Sequence, residues 1–161
     1  MEITIRNKKM AMAAKILLKK DNRDYVSKMM VKDGFAYCTN GNCLVKIATD
    51  IKDGFYRPIK ITKTFVELQE VESFEYPDIE SVLNFESHIS IKNDVCLETF
   101  NAAFATITRA TDPDYCYDPD LLKIGYNITD ECYCQDVLTA SKLPLALIND
   151  DITFILMPVK I

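Results

Sequence analysis

His88 is the only histidine among the 161 residues, so any catalytic dyad or triad with an imidazole base would have to be built on it. It follows Ser87 at the start of His88–Ile91, a stretch patterned like a strand, which makes an ordinary surface or half-buried strand position the expectation. A G-x-x-x-x-G-K-[ST] phosphate loop is absent, and the chain holds four glycines in all. Asp112, Asp114, Asp118 and Asp120, with Tyr115 and Tyr117 between them, supply oxygen ligands of the kind a hard cation such as Ca²⁺ prefers. That run lacks the glycine and closing glutamate of an EF-hand loop, and Pro113 and Pro119 favour a solvated loop. The six cysteines are spaced as Cys38-x4-Cys43, a separate Cys96 and Cys116, and Cys132-x-Cys134. None forms the paired C-x2-C knuckles that suit tetrahedral zinc, so reduced, mostly buried thiols are expected. No catalytic residue, cofactor or metal is therefore expected, and the chain reads as a non-enzyme. A small metal protein or enzyme using the Asp112–Asp120 loop is the alternative from a different class.

The cations carry more information. Net charge is −5, which on its face disfavours a nucleic-acid partner. The signs are segregated, however. On a helix over Lys8–Lys20, Met10, Ala13, Ala14, Leu17 and Leu18 share one arc while Lys8, Lys15 and Lys19 cluster opposite. Lys9, Lys20 and Arg23 add charge at the flanks and just beyond the end, and Arg109 is the one cation on the polar side of a second candidate helix. A protein that holds a duplex without reading sequence needs such a face turned to phosphates. The bland reading is a solvated lysine-rich surface.

The elements that must position these residues are legible in outline. Apolar residues make up 48% and charged residues 27%, the profile of a globular protein able to bury a core. No stretch approaches the roughly 20 apolar residues of a membrane-spanning helix, and the N-terminus lacks the apolar core of a signal peptide. A cytoplasmic location with no membrane partner is expected. Strands are expected over Glu2–Arg6, Tyr25–Lys32, Phe35–Thr39 and Cys43–Ala48, with type I′ turns at Asp33-Gly34 and Asn40-Gly41. Asp53-Gly54 repeats the turn signal before Phe55–Ile59, and Thr62–Val71 suits either a strand or a short helix. Tyr76-Pro77-Asp78 breaks the pattern. Beyond it, Asn93 or Asp94 is placed to cap a helix carrying Leu97, Phe100, Phe104 and Ile107. Leu121–Ile128, Cys132–Ala140, Leu143–Ile148 and Ile152–Val159 read as strands. The order is β-α-β-β-β twice, in halves of about residues 1–75 and 86–161 joined by a connector over 76–85. An α+β domain with two helices on one face of a mainly antiparallel sheet satisfies that order.

Three segments in this succession resemble the DNA sliding clamps of the bacterial DNA polymerase III beta-subunit type. Leu156-Met157-Pro158-Val159-Lys160-Ile161 looks like the hydrophobic-Met-Pro-hydrophobic-basic-hydrophobic end of those clamps. Thr39-Asn40-Gly41-Asn42-Cys43-Leu44 resembles their Thr-Asp-Gly-His-Arg-Leu turn, and Tyr76-Pro77-Asp78-Ile79-Glu80-Ser81-Val82-Leu83 is similar to their Phe-Pro-Asp-Tyr-x-x-Val-Leu segment. The resemblance implies a processivity or recruitment factor of DNA replication or repair, in a small form that a phage or mobile element would carry. It implies duplex DNA held non-specifically by Lys8, Lys9, Lys15, Lys19, Lys20, Arg23 and Arg109. It also implies a groove of Thr39, Gly41, Leu44, Met157, Pro158 and Val159 for short peptides of replication or repair proteins. Asn42 and Cys43 stand where the family has His and Arg, and the second helix is not basic. Subunits of those clamps carry three such domains, whereas the length here suits one, so a six-domain ring would need a homo-oligomer. A clamp-fold interaction module or regulator that leaves DNA alone is the nearest alternative.

Overall fold

Glu2–Ile5 alternates exposed and half-buried residues as a strand covered on one face must, and it forms β1. Across the chain the computed structural model describes residues 1–17, 23–83, 89–90, 95–96, 101, 104–105, 107–108, 113–129, 133–134 and 144–161. Two units result, Met1–Asn84 and Phe85–Ile161.

In the first unit α1 (Lys8–Ala14) starts where the Asn7 side chain accepts a bond from Met10 N at 3.0 Å. Met10, Ala11, Ala13 and Ala14 form its buried face. The α-helix ends sooner than its composition predicts: Lys15, Ile16 and Leu17 close with i→i+3 bonds of 3.1–3.2 Å, the tighter 3₁₀ pattern. Ile16 and Leu17 stay buried.

The predicted strand over Tyr25–Lys32 is corrected. Asp24–Ser27 forms a helical turn, α2, and only Met29–Lys32 is extended, as β2. The Lys28 ammonium grips the Asp24 carboxylate at 2.6 Å across i,i+4, and the Ser27 hydroxyl donates to the Asp24 carbonyl at 3.1 Å. With Val26 fully buried, these contacts outweigh the strand preference of Tyr25 and Val26.

β3 (Phe35–Thr39) and β4 (Cys43–Ala48) have the predicted bounds. Asp33 and Gly34 both take positive φ, 53° and 78°, as a type I′ turn requires. The next connection is a three-residue loop and not a second type I′ turn, because only Gly41 (φ 89°) takes the left-handed conformation. β5 (Gly54–Ile61) pairs with β2 and with β6 (Val66–Val71), the strand alternative for Thr62–Val71; Thr62 to Phe65 is the turn that precedes it. The sheet runs β1-β6-β5-β2-β3-β4 and is antiparallel throughout. Beyond it, Phe74 stacks between Phe55 (4.7 Å) and Tyr76 (5.9 Å), and the Tyr76 hydroxyl donates to the Tyr37 carbonyl at 3.0 Å. Tyr76-Pro77-Asp78 does break the pattern, leading into α3 (Ile79–Leu83).

In the second unit β7 (Ile89–Ser90) lies parallel to β11 (Leu145–Ile148), which pairs antiparallel with β12 (Ile152–Leu156). β8 (Val95–Cys96) pairs with β10 (Tyr133–Cys134), so the predicted cap at Asn93 or Asp94, itself outside the described residues, does not lead straight into a helix. Asn101, Phe104, Ala105, Ile107 and Thr108 are helical, with Ile107 buried.

The main correction is Leu121–Ile128, which is helical and not a strand: α4 spans Pro119–Ile128. Asp118 is its N-cap, accepting from Asp120 N (2.9 Å) and Leu121 N (3.1 Å), and Pro119 sits in the first turn, where its missing N–H costs nothing. Leu122, Gly125 and Tyr126 recur at i, i+3, i+4 on the buried face. Asp118-Pro119 was thus a start signal rather than loop punctuation. The final strand also breaks. Met157-Pro158 ends β12, and Val159–Lys160 forms β13, paired with β9 (Tyr115–Cys116).

Two predictions follow from this packing. A Cβ at Gly125 would overlap the Phe154 ring, which is fully buried. Gly125→Ala should destabilise by about 1–3 kcal/mol despite its better helix propensity, and Phe154→Leu in the same chain should restore part of the loss. Thermal melts of the two variants check this. Separately, burial foremost raises the Tyr76, Tyr37 and Tyr117 phenols above the usual 10.0. The folded chain keeps those protons where the unfolded chain releases them, so stability is intact below about pH 10 and falls as pH climbs higher. Tyrosinate absorbance at 295 nm should include a step that coincides with loss of circular dichroism.

Candidate nucleic-acid and peptide-binding surfaces

Burying the alanine face of α1 turns its cations outward. Lys8 and Lys15, seven residues apart, are both exposed, while Lys9 is half-buried and engaged in further interactions. Two turns of helix bring Lys8 and Lys15 to nearly the same bearing. Lys19, Lys20 and Arg109 lie outside the described residues. Arg23 is set elsewhere in the first unit. It precedes α2, donates to the Tyr25 hydroxyl at 3.2 Å, and holds its guanidinium carbon 5.6 Å from the Tyr25 ring centre. Its Nη1 would stand 3.2 Å from a Cβ built on Gly41. Arg23, taken from the sequence as a phosphate ligand, thus borders the loop taken as a peptide site.

That loop is built by its own side chains. The Thr39 hydroxyl donates to the Cys43 carbonyl at 2.7 Å and accepts from Gly41 N at 3.1 Å. The Asn40 carboxamide oxygen accepts from Asn42 N (2.9 Å), Cys43 N (3.0 Å) and the Cys43 thiol (3.4 Å). Thr39 and Leu44 are buried, and Gly41 and Asn42 are exposed. What the loop presents outward is therefore backbone at Gly41, framed by Asn42 and Arg23. Sequence reasoning missed Asn40 as the organising residue. The signal was present, because an Asx side chain that caps the backbone two residues on is a common turn device.

The remaining predicted peptide-site residues belong to the second unit. Met157 (40% exposed) and Val159 (47%) present apolar side chains to solvent, Pro158 is half-buried, and Ile161 is 80% exposed. Val159 pairs with Cys116, and Ile161 N donates to the Asp114 carbonyl at 2.9 Å, so the strand is held by main chain while its side chains stay available. Pro158, which has no N–H, falls at the break between β12 and β13, where no ladder bond is lost.

The acidic run does other work. Asp118 caps α4, Asp114 holds the C-terminal strand through its carbonyl, and Asp112 lies outside the described residues. Among the described residues no group of three or more His, Cys, Asp or Glu converges as metal ligands would. His88 also lies outside them, and no described helix is long and apolar enough to cross a membrane.

This arrangement is an α+β fold of the sliding-clamp type, a large antiparallel sheet with short helices packed against it. Solved structures similar to it include the DNA polymerase sliding clamp of Pseudomonas aeruginosa, with TM-score 0.56 and 12% identity over 99% of this chain. The Helicobacter pylori beta clamp bound to a DNA ligase peptide matches with TM-score 0.56 and 9% identity over 99% of the chain. The Bacillus subtilis sliding clamp matches with 0.55 and 10% over all of it. The matched spans cover 67%, 65% and 64% of those proteins, so the chain corresponds to about two thirds of each. No protein-family model matches the sequence, and no curated protein matches it.

Thiol chemistry checks this placement. Burial, reinforced by Cys43, drives the Cys38 thiol well above its usual range, whereas Cys116 is exposed opposite Val159. Because the thiolate is the nucleophile, iodoacetamide at pH 8 should alkylate Cys116 while Cys38 stays unmodified until the chain unfolds. Peptide mass mapping reads the two sites separately.

Proposed function

We propose that the chain is a clamp-like processivity or recruitment factor of DNA replication or repair, with no chemistry of its own. The observation that carries the reading is the match of the whole chain to sliding clamps, including one solved with a DNA ligase peptide. Duplex DNA is held non-specifically by Lys8, Lys9 and Lys15, with Lys19, Lys20, Arg23 and Arg109 completing the cationic set. An overall charge of −5 then favours the lysine-bearing surface over the rest, since like charge repels phosphates elsewhere. Short peptides of replication or repair proteins are captured at the exposed Gly41 backbone, which the buried Thr39 and Leu44 support from beneath, and at Met157, Pro158 and Val159. The exposed Met157 and Val159 suit this role, because flexible apolar side chains adapt to different anchors. Retention on DNA is topological, through a homo-oligomer of a single clamp-like domain, in a small form such as a phage carries.

The border between Arg23 and the Gly41 loop favours one second reading: a clamp-fold module that binds proteins and leaves DNA alone. Titration of a labelled 30-base-pair duplex against salt separates the two. With DNA binding, log affinity falls linearly with log salt, and Lys8→Glu with Lys15→Glu weakens binding at least tenfold and lowers the slope by about two. Duplex binding that is undetectable at 50 mM salt, or untouched by the double variant, overturns the DNA role. Met157→Glu should then abolish capture of a fluorescent clamp-binding ligase peptide while leaving duplex affinity unchanged.

A further inference from the structure

A cleft of about 400 Å³ opens in the first unit between the end of α1, α2 and β5, at the small end of the range typical of ligand pockets. None of the residues proposed above for DNA or peptides lines it. Its wall follows from a register slip in β5. Pro58 pairs with Leu68 and Ile61 with Val66, so one extra residue is inserted between Pro58 and Lys60. Leu68 and Val66 are both fully buried, which puts Pro58 and Ile61, three apart, on the same core-facing side. Ile59, the inserted residue, is left 43% exposed at the cleft, and Leu17 from the 3₁₀ turn after α1 adds a further apolar surface. Bulges of this kind re-aim side chains next to functional sites.

The polar side of the cleft is unevenly charged. Lys28 is already neutralised by Asp24 at 2.6 Å and lies 4.6 Å from the Phe74 ring centre. Arg57 also lines the cleft, and its side-chain partner is neutral, the Gln69 carboxamide oxygen at 2.8 Å. Among the described residues no carboxylate pairs with Arg57. One uncompensated guanidinium therefore stands beside an apolar wall.

We propose that this cleft binds a small apolar carboxylate: one aliphatic or aromatic group against Leu17, Pro58, Ile59 and Ile61, with its carboxylate on the Arg57 guanidinium. Arginine's planar fork suits a carboxylate by two parallel bonds, and a single anionic group balances the one unpaired charge. The same chemistry is offered by a free organic acid and by the C-terminal residue of a peptide.

The test uses the full ¹⁵N-labelled chain and backbone amide shifts. Probes are 3-phenylpropionate and its amide, then acetyl-Ala-Ala-Phe with a free and with an amidated C-terminus. Saturable shifts are expected at Ser27, Lys28, Ile59 and Ile61, at least roughly tenfold weaker for the amides and for Arg57→Gln, since each loses the charge-assisted pairing with the guanidinium. Ile59→Ser should weaken binding with Arg57 intact, and the unchanged spectrum elsewhere shows that both variants fold. Tighter binding of the free-ended peptide than of phenylpropionate assigns the site to chain termini, and the reverse assigns it to a free acid. The proposal is overturned by no saturation up to about 10 mM, by equal binding of acid and amide, by indifference to Arg57→Gln, or by shifts confined elsewhere.

Discussion

The packing of the α1 alanine face is the constraint on which the first unit depends. Its six-stranded sheet buries Val31, Ala36, Tyr56, Val66 and Leu68, and this core needs an apolar cover. Ala11, Ala13 and Ala14 are all fully buried, and their small size lets the helix backbone lie close while Met10 fills the space that remains. Once that face is inward, the orientation of Lys8 and Lys15 is no longer adjustable. Core packing and cation display are thus two consequences of one helix orientation.

Loops carry the rest, and each is braced by its own polar groups. Thr39 and Asn40 tie the Gly41 loop through five hydrogen bonds, which lets the exposed backbone keep its shape without a bound partner. Asn149 does the same between β11 and β12, accepting from Asp151 N and Ile152 N. At the C-terminal strand the order comes from main-chain pairing, which leaves the Met157 and Val159 side chains exposed.

Much of the fold was legible because local chemistry and burial agreed. Asp33-Gly34 demanded positive φ and took it, and β3 and β4 have the predicted bounds, since their apolar residues serve a sheet in any arrangement. The misreadings have a common cause. Tyr25-Val26 and Leu121–Ile128 are apolar runs whose content suits strand and helix equally. Context decided both: burial of Val26 with the Lys28–Asp24 i,i+4 pair favours the helical turn in the first, and the Asp118 cap with Pro119 opens the helix in the second. Asp118-Pro119 reads as loop punctuation alongside Asp112-Pro113, because an Asp-Pro pair suits a turn as well as the first turn of a helix.

The sequence alone determined the α+β character, the segregation of lysines on one helix and the turn residues with their spacing, because each depends on neighbours within a few positions. Three tertiary facts lay beyond it. Arg23 reaches the Gly41 loop, the β5 register slips at Ile59, and the last strand breaks at Met157-Pro158 to pair with Tyr115–Cys116. The first and third join residues far apart in the chain, and the slip lies within the β5–β6 hairpin; all three are chosen by how the core packs, for which no local pattern carries a signal.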